Sequence, residues 1–301
     1  MQIRRRTFFK VGAAATAVAV AGRSRPASAA TAAKGLSETS PAVLVDTTRC
    51  VGCRACEAAC SEANRLAEPV EGDDVFAAAR STTPANFTVV NRREAGARER
   101  FVKTQCMHCV DPACASACLT RAIEKTPEGP VVYHPSRCMG CRYCMVACPF
   151  DVPKFEYDKA SPFIRKCTFC AERQAAGQQP ACTSVCPSGA LTFGKRGELL
   201  HEARNRLYGQ GAKYEPHIYG EHEAGGTSWL YISDLPLDKI GLPNDLLTQP
   251  YSSLSQPALA AVPFVLTLWP PLLMGLYTFS QRRANNEHDA APGEGEEVRH
   301  A

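Results

Sequence analysis

Cys138-Met139-Gly140-Cys141-Arg142-Tyr143-Cys144-Met145-Val146-Ala147-Cys148-Pro149 decides how this chain is built. Three cysteines at two-residue gaps curl a short loop around one centre. The three residues before Cys148 carry the fourth thiol away from it. A C-x2-C-x2-C-x3-C-P run is the ligand spacing of a four-iron cube whose fourth cysteine reaches a second cube. Gly140 sits where backbone passes close to that centre, and a residue without Cβ permits the approach.

The same grammar recurs in both directions. All 16 cysteines lie between Cys50 and Cys186, in four groups of four with none left over. The first is Cys50, Cys53, Cys56 and Cys60 (residues 50–60), the second Cys106, Cys109, Cys114 and Cys118 (106–118). The third is Cys138, Cys141, Cys144 and Cys148 (138–148), the fourth Cys167, Cys170, Cys182 and Cys186 (167–186). Asp46–Cys60 aligns with His134–Cys148 at 8 identical positions of 15, with Gly52 in the slot of Gly140. Pro112–Cys118 aligns likewise with Pro180–Cys186. Two motif types given twice predict an α+β fold with much irregular chain: two bacterial-ferredoxin-like modules related by a pseudo-twofold. The spacing leaves open which motif pairs with which. Four quartets of thiolates match four [4Fe-4S] clusters. Disulfides do not suit gaps of two and three residues, and zinc ribbons do not use the long run.

Composition narrows the function. Hydrophobic residues are 45% and charged residues 21% of 301, which excludes disorder throughout. The net charge is +4, but residues 1–29 hold Arg4, Arg5, Arg6, Lys10, Arg23 and Arg25 with no acid, so the remainder is −2. Nothing here is a footprint for nucleic acid. No nucleophile elbow, P-loop or dinucleotide loop is present, so the chain has no active site of its own.

The two ends are addresses. Arg5-Arg6-Thr7-Phe8-Phe9-Lys10, a weakly apolar run and Ala27-Ser28-Ala29 predict a twin-arginine (Tat) signal peptide over residues 1–29. Leu246 to Gln281 carries no charge, and the 22 apolar residues from Ala258 to Phe279 are long enough for a ~30 Å bilayer core. Pro263, Pro270 and Pro271 predict a kink in that helix. Arg282 and Arg283 follow it directly, which puts the C-terminus in the cytoplasm and the cysteine body outside. The expected organisation is signal peptide 1–29, four-cluster domain 40–200, strap 201–256, transmembrane helix 257–281 and cytoplasmic tail 282–301. A helix is expected from Glu198 to Tyr208, and residues 61–100 read as a surface excursion.

The four-motif array resembles the iron–sulfur subunit family of membrane-bound molybdenum and hydrogenase complexes. That family includes electron-transfer subunits of dimethyl sulfoxide reductase, formate dehydrogenase and hydrogenase-2. Gln105–Pro112, Gly140–Pro149 and Tyr219–Thr227 look most like the hydrogenase-2 subunit, as does a chain with its own signal and one C-terminal anchor. Gly225-Gly226-Thr227 and Gly241-Leu242-Pro243 also look like the formate dehydrogenase subunit. The resemblance covers residues 42–200 and implies that the first motif pairs with the fourth and the second with the third. Cluster 1 then takes Cys50, Cys53, Cys56 and Cys186, and cluster 2 takes Cys60, Cys167, Cys170 and Cys182. Cluster 3 takes Cys106, Cys109, Cys114 and Cys148, and cluster 4 takes Cys118, Cys138, Cys141 and Cys144. Cys60 and Cys118 lack the following proline, and no cysteine of the array is replaced.

The resemblance further implies an electron wire in the bacterial inner membrane, with the cluster domain in the periplasm. It would run between a catalytic unit, a nickel–iron hydrogenase, and a quinone-reactive membrane subunit. The alternatives are a formate dehydrogenase or other molybdenum enzyme as the catalytic unit, a free membrane-tethered ferredoxin, and a zinc-stapled scaffold. Arg54, Lys103, Arg142, Arg165 and Lys166 flank cluster cysteines, where positive charge would favour the reduced cluster and raise its potential. His108, inside a C-x2-C pair, reads as a second layer or surface histidine rather than an iron ligand.

Overall fold

The computed structural model describes residues 38–209 and 213–289. The signal peptide and the last residues of the tail lie outside them. Two units are distinct: a cysteine-bearing body ending at Ser252, and the chain from Ser253 onward.

The body is organised on a three-stranded sheet. Strand β1 (Pro41–Asp46) is its centre. Helix α1 (Ala55–Asn64) follows, then a hairpin of β2 (Thr88–Ala95) and β3 (Arg98–Gln105). Short helix α2 (Ala113–Ser116) leads to the hairpin β4 (Ile123–Lys125) and β5 (Val131–Tyr133). Helix α3 (Tyr143–Val146) leads to β6 (Lys154–Phe155) and β7 (Ile164–Arg165). Helices α4 (Ala171–Ala175) and α5 (Ala181–Ser184) precede β8 (Leu191–Lys195) and α6 (Arg196–Gly209). Strand β9 (Trp229–Ile232) completes the sheet, and α7 (Tyr251–Asp289) closes the chain.

β1 pairs with β8 antiparallel and with β9 parallel. Side chains alternate across a strand, so Ala42 and Leu44 face one way and Val43 and Val45 the other. The first pair packs with Leu230 and Ile232 against Leu199, Leu200, Ala203 and Leu207 of α6. The second pair packs with Trp229 and Tyr231 against Met107, Phe169 and Cys182. The sheet is thus buried on both faces: a helix backs one and the cysteine loops back the other. A second cluster of Ile123, Val131 and Ile164 surrounds Cys114 and Cys144.

Two stretches differ from their sequence-based reading. The stretch read as a strap, 201–256, contains a strand, because β9 lies within it and is buried throughout. Charge and glycine at 209–228 hid a four-residue apolar strand, Trp229-Leu230-Tyr231-Ile232, too short to show a period. Nor is 61–100 wholly a surface excursion: Val89, Val90 and Asn91 of β2 are buried. The hairpin turns at Gly96, whose φ of 61° suits the first position of a two-residue turn. Glu57 on α1 clamps the hairpin by accepting from Val90 N–H at 2.5 Å and from Arg80 at 2.7 Å.

Ala261–Arg283 of α7 is 23 residues long and apolar enough to cross a membrane. Leu266, Leu268, Leu272 and Phe279 are exposed on it. The helix is continuous through Pro263, Pro270 and Pro271. Its second residue, Ser252, belongs to the body and donates Oγ–H to Asp111 Oδ2 at 2.6 Å.

Candidate metal centre

The cysteines come from loops that helices and turns aim inward. Arg54 and Arg142, which begin α1 and α3, have the same φ of 59° and ψ of 9°. The first C-x2-C pair of each motif bends at its third residue through a positive φ. That residue is Gly52 (72°), His108 (45°), Gly140 (74°) and Phe169 (56°) in the four motifs. The turn points both thiols of a pair to the same side, and glycine takes this conformation without strain.

Four groups of thiols result. One cavity is lined by Cys50, Cys53, Cys56 and, from the fourth motif, Cys186. Another is lined by Cys138, Cys141, Cys144 and, from the second motif, Cys118. Burial raises the Cys60 thiol to about 12, and Cys182 and Cys170 add to the rise. Burial also raises Cys109 well above an ordinary thiol, with Cys106, Cys148 and Cys114 contributing. Neighbouring groups touch electrostatically. Cys182 acts on Cys56, Cys106 on Cys167 and Cys144 on Cys114. Cys53 and Cys141 are exposed, so the two end groups reach the surface.

The donor set fits iron–sulfur cubes. None of the 16 cysteines is in a disulfide. Each four-iron cube requires four thiolates, and two cavities each gather four cysteines. Backbone N–H groups donate to sulfur: Ala122 to Cys118 Sγ at 3.1 Å, Phe169 to Cys167 Sγ at 3.3 Å and Gly140 to Cys138 Sγ at 3.4 Å. Such bonds favour the thiolate. At Cys118 burial acts to raise the pKa, yet bonds from Ile123, Thr120 and Ala122 bring it below the usual value. At Cys144 and Cys148 burial dominates and raises the thiols to about 11. A coordinating metal deprotonates such thiols outright, so ligation and proton release are one event.

Buried cations stand among the sulfurs. Lys103 Nζ donates to Gln105 Oε1 at 2.8 Å and lies 4.4 Å from the centroid of the Trp229 ring. Burial opposes its charge, but Cys182, Cys56 and Cys167 hold its pKa above the ordinary lysine value. Lys166 Nζ donates to the carbonyls of Val131 and Cys167. Lys125, which the spacing argument did not single out, donates to the carbonyls of His108 and Cys109 at 3.2 and 3.0 Å. Its lone basic position in the short strand Ile123-Glu124-Lys125 carried no signal. His108 is fully buried rather than a surface histidine. Its Nδ1 accepts from Val131 N–H at 3.0 Å, which leaves the proton on Nε2.

Comparison with known proteins agrees with this chemistry. The 4Fe-4S dicluster domain family matches residues 97–196. A protein of Nitratidesulfovibrio vulgaris (strain Hildenborough) is 45% identical over 306 residues, spanning 99% of this chain and 81% of the relative. The hydrogenase-2 operon protein HybA of Escherichia coli O157:H7 is 36% identical over 283 residues, spanning 82% of this chain and 85% of that protein. The nitrate-inducible formate dehydrogenase iron-sulfur subunit of Escherichia coli K12 is 36% identical over 217 residues, spanning 68% and 72%.

Proposed function

The chain belongs to the family of 4Fe-4S electron-transfer subunits that includes HybA and the formate dehydrogenase iron-sulfur subunits, and on that premise we propose that it relays electrons through four clusters between a catalytic unit and the membrane. The clusters supply reversible one-electron reduction. The chain supplies their ligands, their spacing and the charges around them. Cluster 1 takes Cys50, Cys53, Cys56 and Cys186, cluster 2 Cys60, Cys167, Cys170 and Cys182. Cluster 3 takes Cys106, Cys109, Cys114 and Cys148, cluster 4 Cys118, Cys138, Cys141 and Cys144.

One observation carries this reading: the last cysteine of one motif lines the cavity of another motif's triplet, Cys186 with Cys50, Cys53 and Cys56, and Cys118 with Cys138, Cys141 and Cys144. The sulfur neighbours Cys56–Cys182, Cys167–Cys106 and Cys114–Cys144 support a linear order from cluster 1 to cluster 4. The 8 shared positions between Asp46–Cys60 and His134–Cys148 support two modules related by a pseudo-twofold, within a cluster domain spanning 40–200.

The catalytic unit in this reading is a nickel–iron hydrogenase, because the match to the hydrogenase-2 operon protein spans more of the chain than the formate dehydrogenase match. A formate dehydrogenase or other molybdenum enzyme is the second reading, supported by equal identity over that shorter stretch. A Tat signal at 1–29 exports the folded body to the periplasm. The apolar helix at 257–281 anchors it beside a quinone-reactive subunit, with 282–301 in the cytoplasm. The test is iron and sulfide analysis of anaerobically purified protein together with identification of what co-purifies in mild detergent. Roughly sixteen irons per chain and one stoichiometric catalytic partner are expected. A colourless protein would reject the wire, and a loaded chain with no stoichiometric partner would make it a free tethered ferredoxin.

A further inference from the structure

The five basic residues beside cluster cysteines have different fates in the fold. Arg54 lines the Cys50–Cys186 cavity, but Glu57 matches its guanidinium at 3.0 Å. Arg165 stands 3.6 Å from Glu156 and over the Phe87 ring. Arg142 lies over the rings of Phe155 and Tyr157, near the surface. Lys166 spends its donors on backbone carbonyls. Lys103 lines the same cavity as Arg54, is 2% exposed, and is in no ion pair among the described residues.

Every partner of the Lys103 ammonium is neutral. Gln105 Oε1 accepts from it and the Trp229 face covers it. Gln105 Nε2 donates to Tyr231 Oη at 2.7 Å, and Tyr231 O–H donates to the Lys103 carbonyl at 2.8 Å, which closes a rigid ring around the side chain. A buried cation with no anion is strongly unfavourable unless something of opposite charge lies close by. Lys103 shares its cavity wall with Cys50, Cys53, Cys56 and Cys186, and Cys182, Cys56 and Cys167, with Tyr231, act on its charge. A cube held by four thiolates is a net anion and gains a further negative charge on reduction.

We infer that Lys103 is a positioned counter-cation between clusters 1 and 2 that raises both reduction potentials, so that this end of the wire accepts electrons at a higher potential than its ligands alone would set. The inference rests on the ligand sets proposed above. Its physical basis is Coulombic: a fixed positive charge in a poorly screened interior favours the more negative, reduced cube.

The test is a redox titration of the intact, anaerobically purified complex, followed by low-temperature electron paramagnetic resonance, with iron content measured on every sample. In Lys103→Met, two of the four potentials should fall by a factor of about ten or more in the reduction equilibrium, which is 59 mV for a one-electron couple. The other two should stay in place, and Lys103→Arg should keep all four near the parent values. Gln105→Glu sets a carboxylate against the ammonium without removing it, and should lower the same two potentials. A fully loaded Lys103→Met with four unchanged potentials, or with all four shifted equally, would overturn the inference. If Lys103→Met loses clusters, Gln105→Glu decides alone, and unchanged potentials there overturn it equally. An iron-free parent protein would instead reject the cluster reading beneath it.

Discussion

His108 and Phe169 stack on each other at the middle of the cysteine body, with ring centroids 4.8 Å apart and 23° between their planes. Each is the third residue of a C-x2-C pair, His108 between Cys106 and Cys109, Phe169 between Cys167 and Cys170. The first and third motifs carry glycine at this position, where φ is positive in all four. The second and fourth motifs therefore accept backbone strain and gain a buried aromatic joint between their loops. Phe169 continues the contact to Trp229, at 5.9 Å between centroids.

Phe169→Ala should destabilise the body by about 3–5 kcal/mol, because the ring is buried on all sides. Phe169→Gly also relieves a left-handed backbone, a gain of only about 1–2 kcal/mol. Packing outweighs strain, so both variants should bleach their visible absorbance at lower urea than the parent. A Phe169→Gly variant at least as stable as the parent would show that strain matches or outweighs packing.

Gly52 and Gly96 both have positive φ, 72° and 61°, but unequal surroundings. A Cβ on Gly52 would lie 2.7 Å from the Phe101 ring, whereas one on Gly96 meets nothing within 4 Å. Gly96→Ala should cost the conformational penalty alone, about 1–2 kcal/mol. Gly52→Ala adds overpacking of about 1–3 kcal/mol. Denaturation midpoints of the two variants measure the difference, and equal midpoints would refute the contact.

Glu57 joins three elements, accepting from Arg54, from Arg80 and from Val90 N–H. Glu57→Gln leaves two guanidiniums without a counter-charge beside the first cavity. The Arg80 side chain keeps 26% of its surface in solvent, so the expected loss is about 2–3 kcal/mol, below that of a fully buried pair. Protease sensitivity of the 61–100 segment should rise with it, and unchanged cleavage would mean the clamp is dispensable.

Leu272 lies at the centre of Ala261–Arg283. Leu272→Arg places a charge there at about 2.5–3.5 kcal/mol of insertion free energy. The parent chain should sediment with membranes after lysis and resist extraction by high salt. The variant should shift toward the soluble fraction, and identical fractionation would argue that contacts of the body, not the helix, hold the chain to the membrane.

The sequence alone determined the cofactor class, because a C-x2-C-x2-C loop is shaped by short-range geometry that any fold must respect. It determined the helix at 196–209 to within a residue or two, and an apolar stretch long enough to span a bilayer. It did not reveal β9, whose four apolar residues form a strand only because β1 lies beside them. Nor did it rank the five basic residues, since Lys103 is set apart by lining the first cysteine cavity while Trp229, Gln105 and Tyr231 surround it without a counter-charge. The meeting of His108 with Phe169 likewise belongs to the tertiary structure, and that of Cys186 with Cys50 was implied by the family resemblance but not by the spacing. Spacing governs atoms a few bonds apart. Which distant loops share a cavity depends on how both faces of one buried sheet are covered.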